Sequence, residues 1–517
     1  MAEATQPTPL EDAPPTETHV HLRGSTLLVA GRVLALSIGF VTQVLIVRYL
    51  SKLGYGTFAY ALAIVDLGAM VTRLGLDRAG ARFLPMYEER REWGKFFGGI
   101  CVLLTAVFGI GLSLAAVLVG LRDVLYPRLV HDAGASALLV VLAVMVPLQA
   151  YDEVLVMLLS AFVGARGIFV RKHLLGPLLD LAVIAVVIGW RGGARELAIA
   201  HVAAGVLGAV IYTAMLARAF SRRGLWDQLR LHRPVSTARE FLSFGLPLLL
   251  TDAMLMLRAV LAVVFLERLI GVSAVADYRA VGPTANINMM VQQSFSYLFL
   301  PAAARMLARG DRAGIANLYG RTTVWIGILS FPLFAVTCGL ASKVTVVLFG
   351  DRYASSGTVL AWLAFGQIVN AALGFNIATL RTLGRLRVIV IADLAAMTIA
   401  VASYLLLIPS FGAAGAAAGM AVSQVARNAI NQSALRDELG VRIFGPDLGR
   451  PLLSIAAGAL VVLAFDRLLD PPLWLSLILV AALWIVLLRT NRRQLELLET
   501  FPALQRVALV RRLLGAG

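Results

Sequence analysis

About fourteen stretches of roughly twenty apolar residues run through this chain, each long enough for a helix to cross a ~30 Å hydrocarbon layer at ~1.5 Å per residue. Lipid offers the backbone no hydrogen bonds, so a span of this length has to be a helix that satisfies its own N–H and C=O groups. The stretches fall at roughly 25–47, 55–76, 96–120, 135–162, 174–190, 197–217, 241–266, 276–300, 322–342, 355–380, 388–408, 412–434, 449–468 and 472–489. They account for the 59% hydrophobic content and the mean hydropathy of +0.83, and leave little of the 517 residues for a soluble domain. The expected fold is an all-α polytopic membrane protein with about 14 transmembrane helices.

The net charge of +16 would suggest nucleic acid on a soluble chain. Here 42 of the 46 cations are arginines, set in small groups between apolar runs with no continuous basic face, so no nucleic-acid partner is expected. With an inward N-terminus, the loops and tails of one side hold 31 cations and those of the other 10. That bias predicts cytoplasmic N- and C-termini in the cell membrane and an even number of spans.

The domain reading follows. Residues 1–24, rich in Pro, Thr and Glu, form a disordered cytoplasmic tail and not a signal peptide. Residues 25–220 form an N-terminal six-helix lobe, 221–240 a cytoplasmic linker, and 241–435 a second six-helix lobe. Residues 436–490 carry helices 13 and 14, and 491–517 form an amphipathic tail for the anionic inner leaflet. The lobes are read as repeats: Arg48 to Tyr55 answers Arg268 to Tyr278, Trp93 to Phe97 answers Arg312 to Ala316, and Gly167 to Arg171 answers Gly384 to Arg387. Six spans per repeat relate the lobes by a pseudo-twofold axis along the membrane normal.

A charge inside a span costs about 2.5–3.5 kcal/mol at mid-bilayer on insertion scales, so it faces a wet cavity or a partner. Arg32, Asp66, Asp252, Arg258, Asp393 and Arg427 are the deep candidates. Arg32, Gly39 and Gln43 share one helix face, as do Gln424, Arg427, Asn428 and Asn431; Asn286 with Gln293, and Gln367 with Asn370 and Gly374, give two further stripes. Such stripes suit either a hydrated cavity between two bundles or the glue between packed helices. Arg32, Arg258 and Arg427 line a cavity in one reading and pair with Asp66, Asp252 or Asp393 in the other. Arginine stays charged when dehydrated and matches phosphate oxygens with a planar fork, so cavity arginines favour an anionic headgroup.

No enzyme, cofactor or metal is expected. The six histidines are scattered, Cys101 and Cys338 lie in apolar runs, and no Asp-x-Asp motif or large loop is present. His201 reads as packed within its span, and Asp152-Glu153 as a hydrated pair or a site for a coupling cation. Gly415 to Gly419 reads as a small-residue packing face.

Arg48 to Gly56 (RYLSKLGYG), Leu74 to Pro85 (LGLDRAGARFLP), Phe244 to Asp252 (FGLPLLLTD), Leu300 to Asp311 (LPAAARMLARGD), Phe349 to Ala364 (FGDRYASSGTVLAWLA) and Phe411 to Ala418 (FGAAGAAA) carry a resemblance over about residues 25–435. In their order and spacing they resemble the polysaccharide transporter, or lipid-linked oligosaccharide flippase, branch of the multidrug/oligosaccharidyl-lipid/polysaccharide exporter superfamily. Lys52-Leu53 departs from the family, which more often has an acidic residue before this glycine. The resemblance implies a V-shaped pair of lobes, alternating access, and movement of a polyprenyl-diphosphate-linked oligosaccharide to the outer leaflet for O-antigen, capsule or exopolysaccharide. Membrane lipids and the glycan polymerase or glycosyltransferases of the same pathway are the implied partners. On this reading Arg32, Arg258 and Arg427 hold the diphosphate, Gln43, Gln293, Gln367, Asn370, Gln424 and Asn431 complete the substrate site, and Asp66, Asp252 and Asp393 serve as coupling or ion-pair groups. A cation-coupled exporter, a lipid II flippase and a non-transporting scaffold are the alternatives.

Overall fold

The computed structural model describes residues 17–121, 132–163, 169–442, 445–491 and 495, and every regular element among them is helical. Lobe 1 contains α1 (Glu17–Tyr49), α2 (Lys52–Arg73), α3 (Leu76–Glu89), α4 (Trp93–Gly120), α5 (Ala133–Leu142), α6 (Met145–Phe162), α7 (Phe169–Gly189) and α8 (Ala194–Arg222). The short α9 (Leu225–Leu231) leads to lobe 2: α10 (Ala238–Leu269), α11 (Val272–Asn286), α12 (Met290–Ala308), α13 (Arg312–Gly339), α14 (Ala341–Phe349), α15 (Ser356–Thr382) and α16 (Leu386–Leu439). Two further helices, α17 (Pro446–Leu469) and α18 (Leu473–Thr490), pack on α13. The helix of α1 begins inside the segment read as a disordered tail, while the C-terminal tail 491–517 lies almost wholly outside the described residues.

Eleven of the described helices are long and apolar enough to cross a membrane. One of them, α16, holds two crossings in its 54 residues, and α5 extends the crossing made by α6. The other two crossings are α10, which carries Asp252 and Arg258, and the consecutive pair α11 and α12. About fourteen crossings result.

Local chemistry sets the turns. Leu74 and Gly75 both take left-handed backbone, φ 49° and 69°, which breaks α2 from the amphipathic α3. Within α16, Gly412 at φ 53° and ψ −131° reverses the chain so that its two halves lie side by side. A Cβ on Gly415 would sit 2.3 Å from the Leu407 carbonyl oxygen, and one on Gly419 would sit 2.9 Å from the Tyr404 ring. The small-residue face lets the two backbones touch, as expected where hydrocarbon supplies no hydrophobic drive between helices.

One end of the interface between lobes is tightly tied. The last carbonyls of a helix have no partner within it and attract cations. Arg48, at the end of α1, donates to Leu348 O (2.7 Å) and Val347 O (2.5 Å) at the end of α14. Arg352 donates back to Val47 O and Arg48 O, both at 2.5 Å. Each lobe thus caps a helix of the other. Beside them Lys52 pairs with Asp277 at 2.7 Å, Ser356 donates to Asp277 at 2.6 Å, and the Asp132 N–H donates to Glu267 at 3.3 Å. Lys52, the departure from the family pattern, is therefore a cross-lobe tie. A Cβ on Gly56 would sit 2.0 Å from Val272 O, so α2 and α11 are in backbone contact here. A single apolar core, with Tyr55, Phe58, Val275, Phe349 and Tyr353, runs through both lobes at this sealed end.

At the opposite end, rich in arginine, the first turns of α10 pack on lobe 1. Phe241 is buried among Leu84, Phe96 and Phe97, Tyr87 hydrogen-bonds Glu240, and Gly75 meets the Gly245 carbonyl.

Two outcomes are expected. Gly415→Leu should lower the thermal midpoint of the purified protein through an overpacking cost of about 1–3 kcal/mol, read by fluorescence-detected unfolding. Lys52→Asp and Asp277→Lys should each destabilise the protein, and the double exchange should recover about 1 kcal/mol of coupling in a double-mutant cycle.

Candidate substrate cavity between the lobes

Between the lobes, next to the sealed end, is a cavity of about 380 Å³ walled by α1, α2, α10, α11, α15 and α16. Its polar lining consists mainly of amides and phenols. Gln43 donates to the Tyr55 hydroxyl at 2.7 Å, and Gln367 donates to Asn286 Oδ1 at 2.6 Å. Gln424 fits because a side chain on Gly366 would stand 2.3 Å from its Oε1. Phe58 and Tyr278 supply aromatic faces. Among the lining residues Arg279 alone carries a formal charge. Its guanidinium lies 3.8 Å from Asp66 Oδ2 in the other lobe, both side chains about one-third exposed.

Gln43, Gln367 and Gln424 thus stand where their stripes pointed. Arg32 and Gln293 hydrogen-bond each other across the lobes, 261 residues apart in sequence, but are not among the residues lining this cavity. For Arg258 and Arg427 the expectation of a cavity role needs correction. They are 2% and 7% exposed, and neither is among the residues that line the cavity. Arg427 Nε lies 3.7 Å from Asp393, which is itself 2% exposed, and Asp393 also acts on Arg258 electrostatically. The pairing alternative describes Arg427, with Arg258 buried in the field of the same carboxylate. Asn376 donates to Asn428 Oδ1 at 3.2 Å, and Asn376, Asn428 and Asn431 are fully buried in lobe 2, while the half-buried Asn370 accepts from Asn428 at 3.4 Å. Asp252 lies on α10, and its side chain is outside the described residues.

Arg279 is the residue the sequence reading missed. The loops and tails hold 41 of the 46 cations, and Arg279 is one of the five left inside spans, in the most polar span of all. That count was the available signal.

Lobe 1 holds a second cavity of about 380 Å³, lined by Gln149, Asp152, Glu153, Asp180, His201 and Arg171 among others. Arg171 forms an ion pair with Asp152 and stacks over Tyr212 at 4.7 Å, and His201 Nδ1 lies 4.0 Å from Asp180. His201 is packed edge-on to Phe58 and also faces this cavity. No cluster of three or more metal-ligating residues occurs among the described residues.

Two helical lobes, multiple membrane crossings and a polar cavity at their interface define a multi-pass membrane protein with a polar space between its halves. The chain belongs to the polysaccharide biosynthesis protein family, whose model matches residues 21–307. It is 25% identical over 339 residues to the succinoglycan biosynthesis transport protein ExoT of Rhizobium meliloti, covering 63% of this chain and 62% of that one. Identity to the uncharacterized membrane protein MJ1068 of Methanocaldococcus jannaschii is 20% over 402 residues, covering 74% and 78%. Among solved structures, the lipid II flippase MurJ in an inward closed conformation superposes with a TM-score of 0.68 at 13% identity, over 91% of this chain and 99% of that one. An inward-facing multidrug resistance MATE family transporter gives 0.59 at 15% identity, over 78% and 94%. These structures share the fold of this chain.

Removing one partner of a buried charge cluster leaves the others uncompensated. Asp393→Asn should therefore cost about 3–5 kcal/mol and sharply lower the thermal midpoint, whereas Arg32→Ala, at a half-buried site, should leave it nearly unchanged.

Proposed function

We propose that the chain flips a polyprenyl-diphosphate-linked oligosaccharide from the inner to the outer leaflet of the cytoplasmic membrane by alternating access, for the synthesis of a surface polysaccharide. The observation that carries this reading is the cavity between the lobes, in which one arginine stands among amides and aromatic rings. Amides and phenols exchange hydrogen bonds with sugar hydroxyls, aromatic faces take the apolar faces of sugar rings, and a guanidinium matches an oxyanion with two parallel N–H bonds. Arg279, with Arg32 at the neighbouring contact between lobes, holds the diphosphate, while the polyprenyl chain stays in the bilayer. Arg258 and Arg427, paired with Asp393, position the helices that carry Gln424. The arginine bias puts both termini in the cytoplasm and the Arg48–Arg352 seal on the outer side. The substrate then enters from the inner leaflet and leaves once the seal opens. Polymerase and glycosyltransferases of the same pathway are the partners this function requires.

The acidic cavity in lobe 1 favours a second reading, a cation-coupled exporter of small molecules. In that case Asp152→Asn and Asp180→Asn would abolish efflux of a small solute, and loss of the gene would leave lipid-linked glycans undisturbed.

Deletion of the gene should cause a lipid-linked oligosaccharide to accumulate on the cytoplasmic leaflet, measured by mass spectrometry and by its inaccessibility to an external glycosidase. Complementation with Arg279→Ala should leave transport at least tenfold below wild type. If Arg32→Ala and Arg279→Ala, expressed at normal levels, both transported at the wild-type rate, the assignment of the arginines would be wrong.

A further inference from the structure

The ion pair at the cavity links the two lobes: Asp66 lies on α2 of lobe 1 and Arg279 on α11 of lobe 2. At 3.8 Å the contact is longer than a hydrogen bond, so it satisfies charge without engaging the guanidinium fork. Both side chains are about one-third exposed, so an ion that enters the cavity can reach the pair. The two partners differ in their other support. Asp66 is hydrogen-bonded by Gln149 of α6, and Arg73 and His201 also bear on it electrostatically, all three within lobe 1. If Arg279 left, Asp66 would still have its polar surroundings. Arg279 faces a cavity in which every other lining residue is uncharged.

We propose that Asp66 is a built-in competitor for the substrate's anion: it occupies Arg279 in the empty protein, and an oxyanion entering the cavity displaces it. The exchange conserves charge at Arg279. The new ligand gains a bidentate match, and Asp66 keeps Gln149 of its own lobe beside it. Binding thereby cuts an ion pair that ties lobe 1 to lobe 2 at the edge of the cavity. The energy of recognition is drawn directly into loosening the interface, as a ligand shifts an equilibrium only through its differential affinity for two states. Asp66 also sets selectivity, because a weakly held anion does not displace it and leaves the interface tied. The inference rests on the cavity being a site for an anion-bearing substrate. The oxyanion can be a diphosphate on the lipid or a carboxylate on the glycan, and both make the same bidentate contact.

The test uses the full-length protein in nanodiscs, with farnesyl diphosphate and trigalacturonate as the two probes and binding read by microscale thermophoresis. D66N removes the competitor and should bind the relevant probe about tenfold more tightly than wild type, as expected when a competing state that dominates by about ten to one is abolished. D66E should keep the wild-type affinity, and D66S is a second neutral variant with the same expected gain. R279Q should lose binding. The double variant D66N/R279Q should gain nothing over R279Q, whereas a general rise in cavity potential would persist without Arg279. A gain confined to farnesyl diphosphate identifies the lipid as the source of the anion, and one confined to trigalacturonate identifies the glycan. Wild-type affinity of both neutral Asp66 variants for both probes, with R279Q defective, would overturn the exchange alone. Wild-type affinity of R279Q for both probes would overturn the reading of the cavity itself.

Discussion

Hydrocarbon cannot solvate a charge, and the arginines within the spans of this molecule lie in the protein interior or at contacts between helices. Five arginines remain inside the crossings, and they fall into four settings. Arg258 and Arg427 are buried within lobe 2 with Asp393, Arg32 meets Gln293 of the other lobe, and Arg279 stands at a polar cavity opposite Asp66. Arg73, near the end of α2, lies 4.0 Å from Glu153. A buried pair adds little net stability, because desolvation offsets most of the attraction, but removing one partner is severe. The Asp393 group therefore makes the packing of α10 against both halves of α16 obligatory, and those helices in turn form walls of the cavity.

The same economy of polar groups operates at the interface between the lobes. Helix ends present unpaired carbonyls wherever a span stops, and the sealed end satisfies them with arginines from the opposite lobe, Arg48 toward α14 and Arg352 toward α1. Such capping is lost as soon as the lobes part, because each arginine belongs to the other half. Around it Lys52, Asp277, Ser356 and Glu267 add contacts of the same kind. The apolar core shared by the two lobes lies beside these polar contacts, so parting the lobes at this end exposes apolar surface as well as breaking the caps.

Much of the fold was legible in the residues. Period and length set the crossings, and the run from Gly415 to Gly419 marked the site where the two halves of α16 touch. Of the candidate site, helical spacing alone puts Gln43, Gln367 and Gln424 on polar stripes, and all three line the cavity. Arg258 and Arg427 are equally visible, but their spacing leaves a place at the cavity and a pairing with aspartate both open. Spacing shows which residues share a helix face but not which neighbour that face meets. Arg279 went unnoticed for a related reason: it lies in a span whose general polarity hides one more charge, and its partner Asp66 is more than two hundred residues away.

The sequence by itself determined that the chain is a bundle of membrane-crossing helices in two halves, because the length of an apolar run and the absence of water in lipid leave no other solution. It also determined which residues were costly enough to need a reason for being there. Only the tertiary structure decided which of those charges pair within a lobe and which bridge the two, since that depends on contacts between helices hundreds of residues apart. By burying Arg258 and Arg427 and leaving Arg279 at the cavity, packing separated arginines held in the interior of lobe 2 from one that lines the space between the lobes.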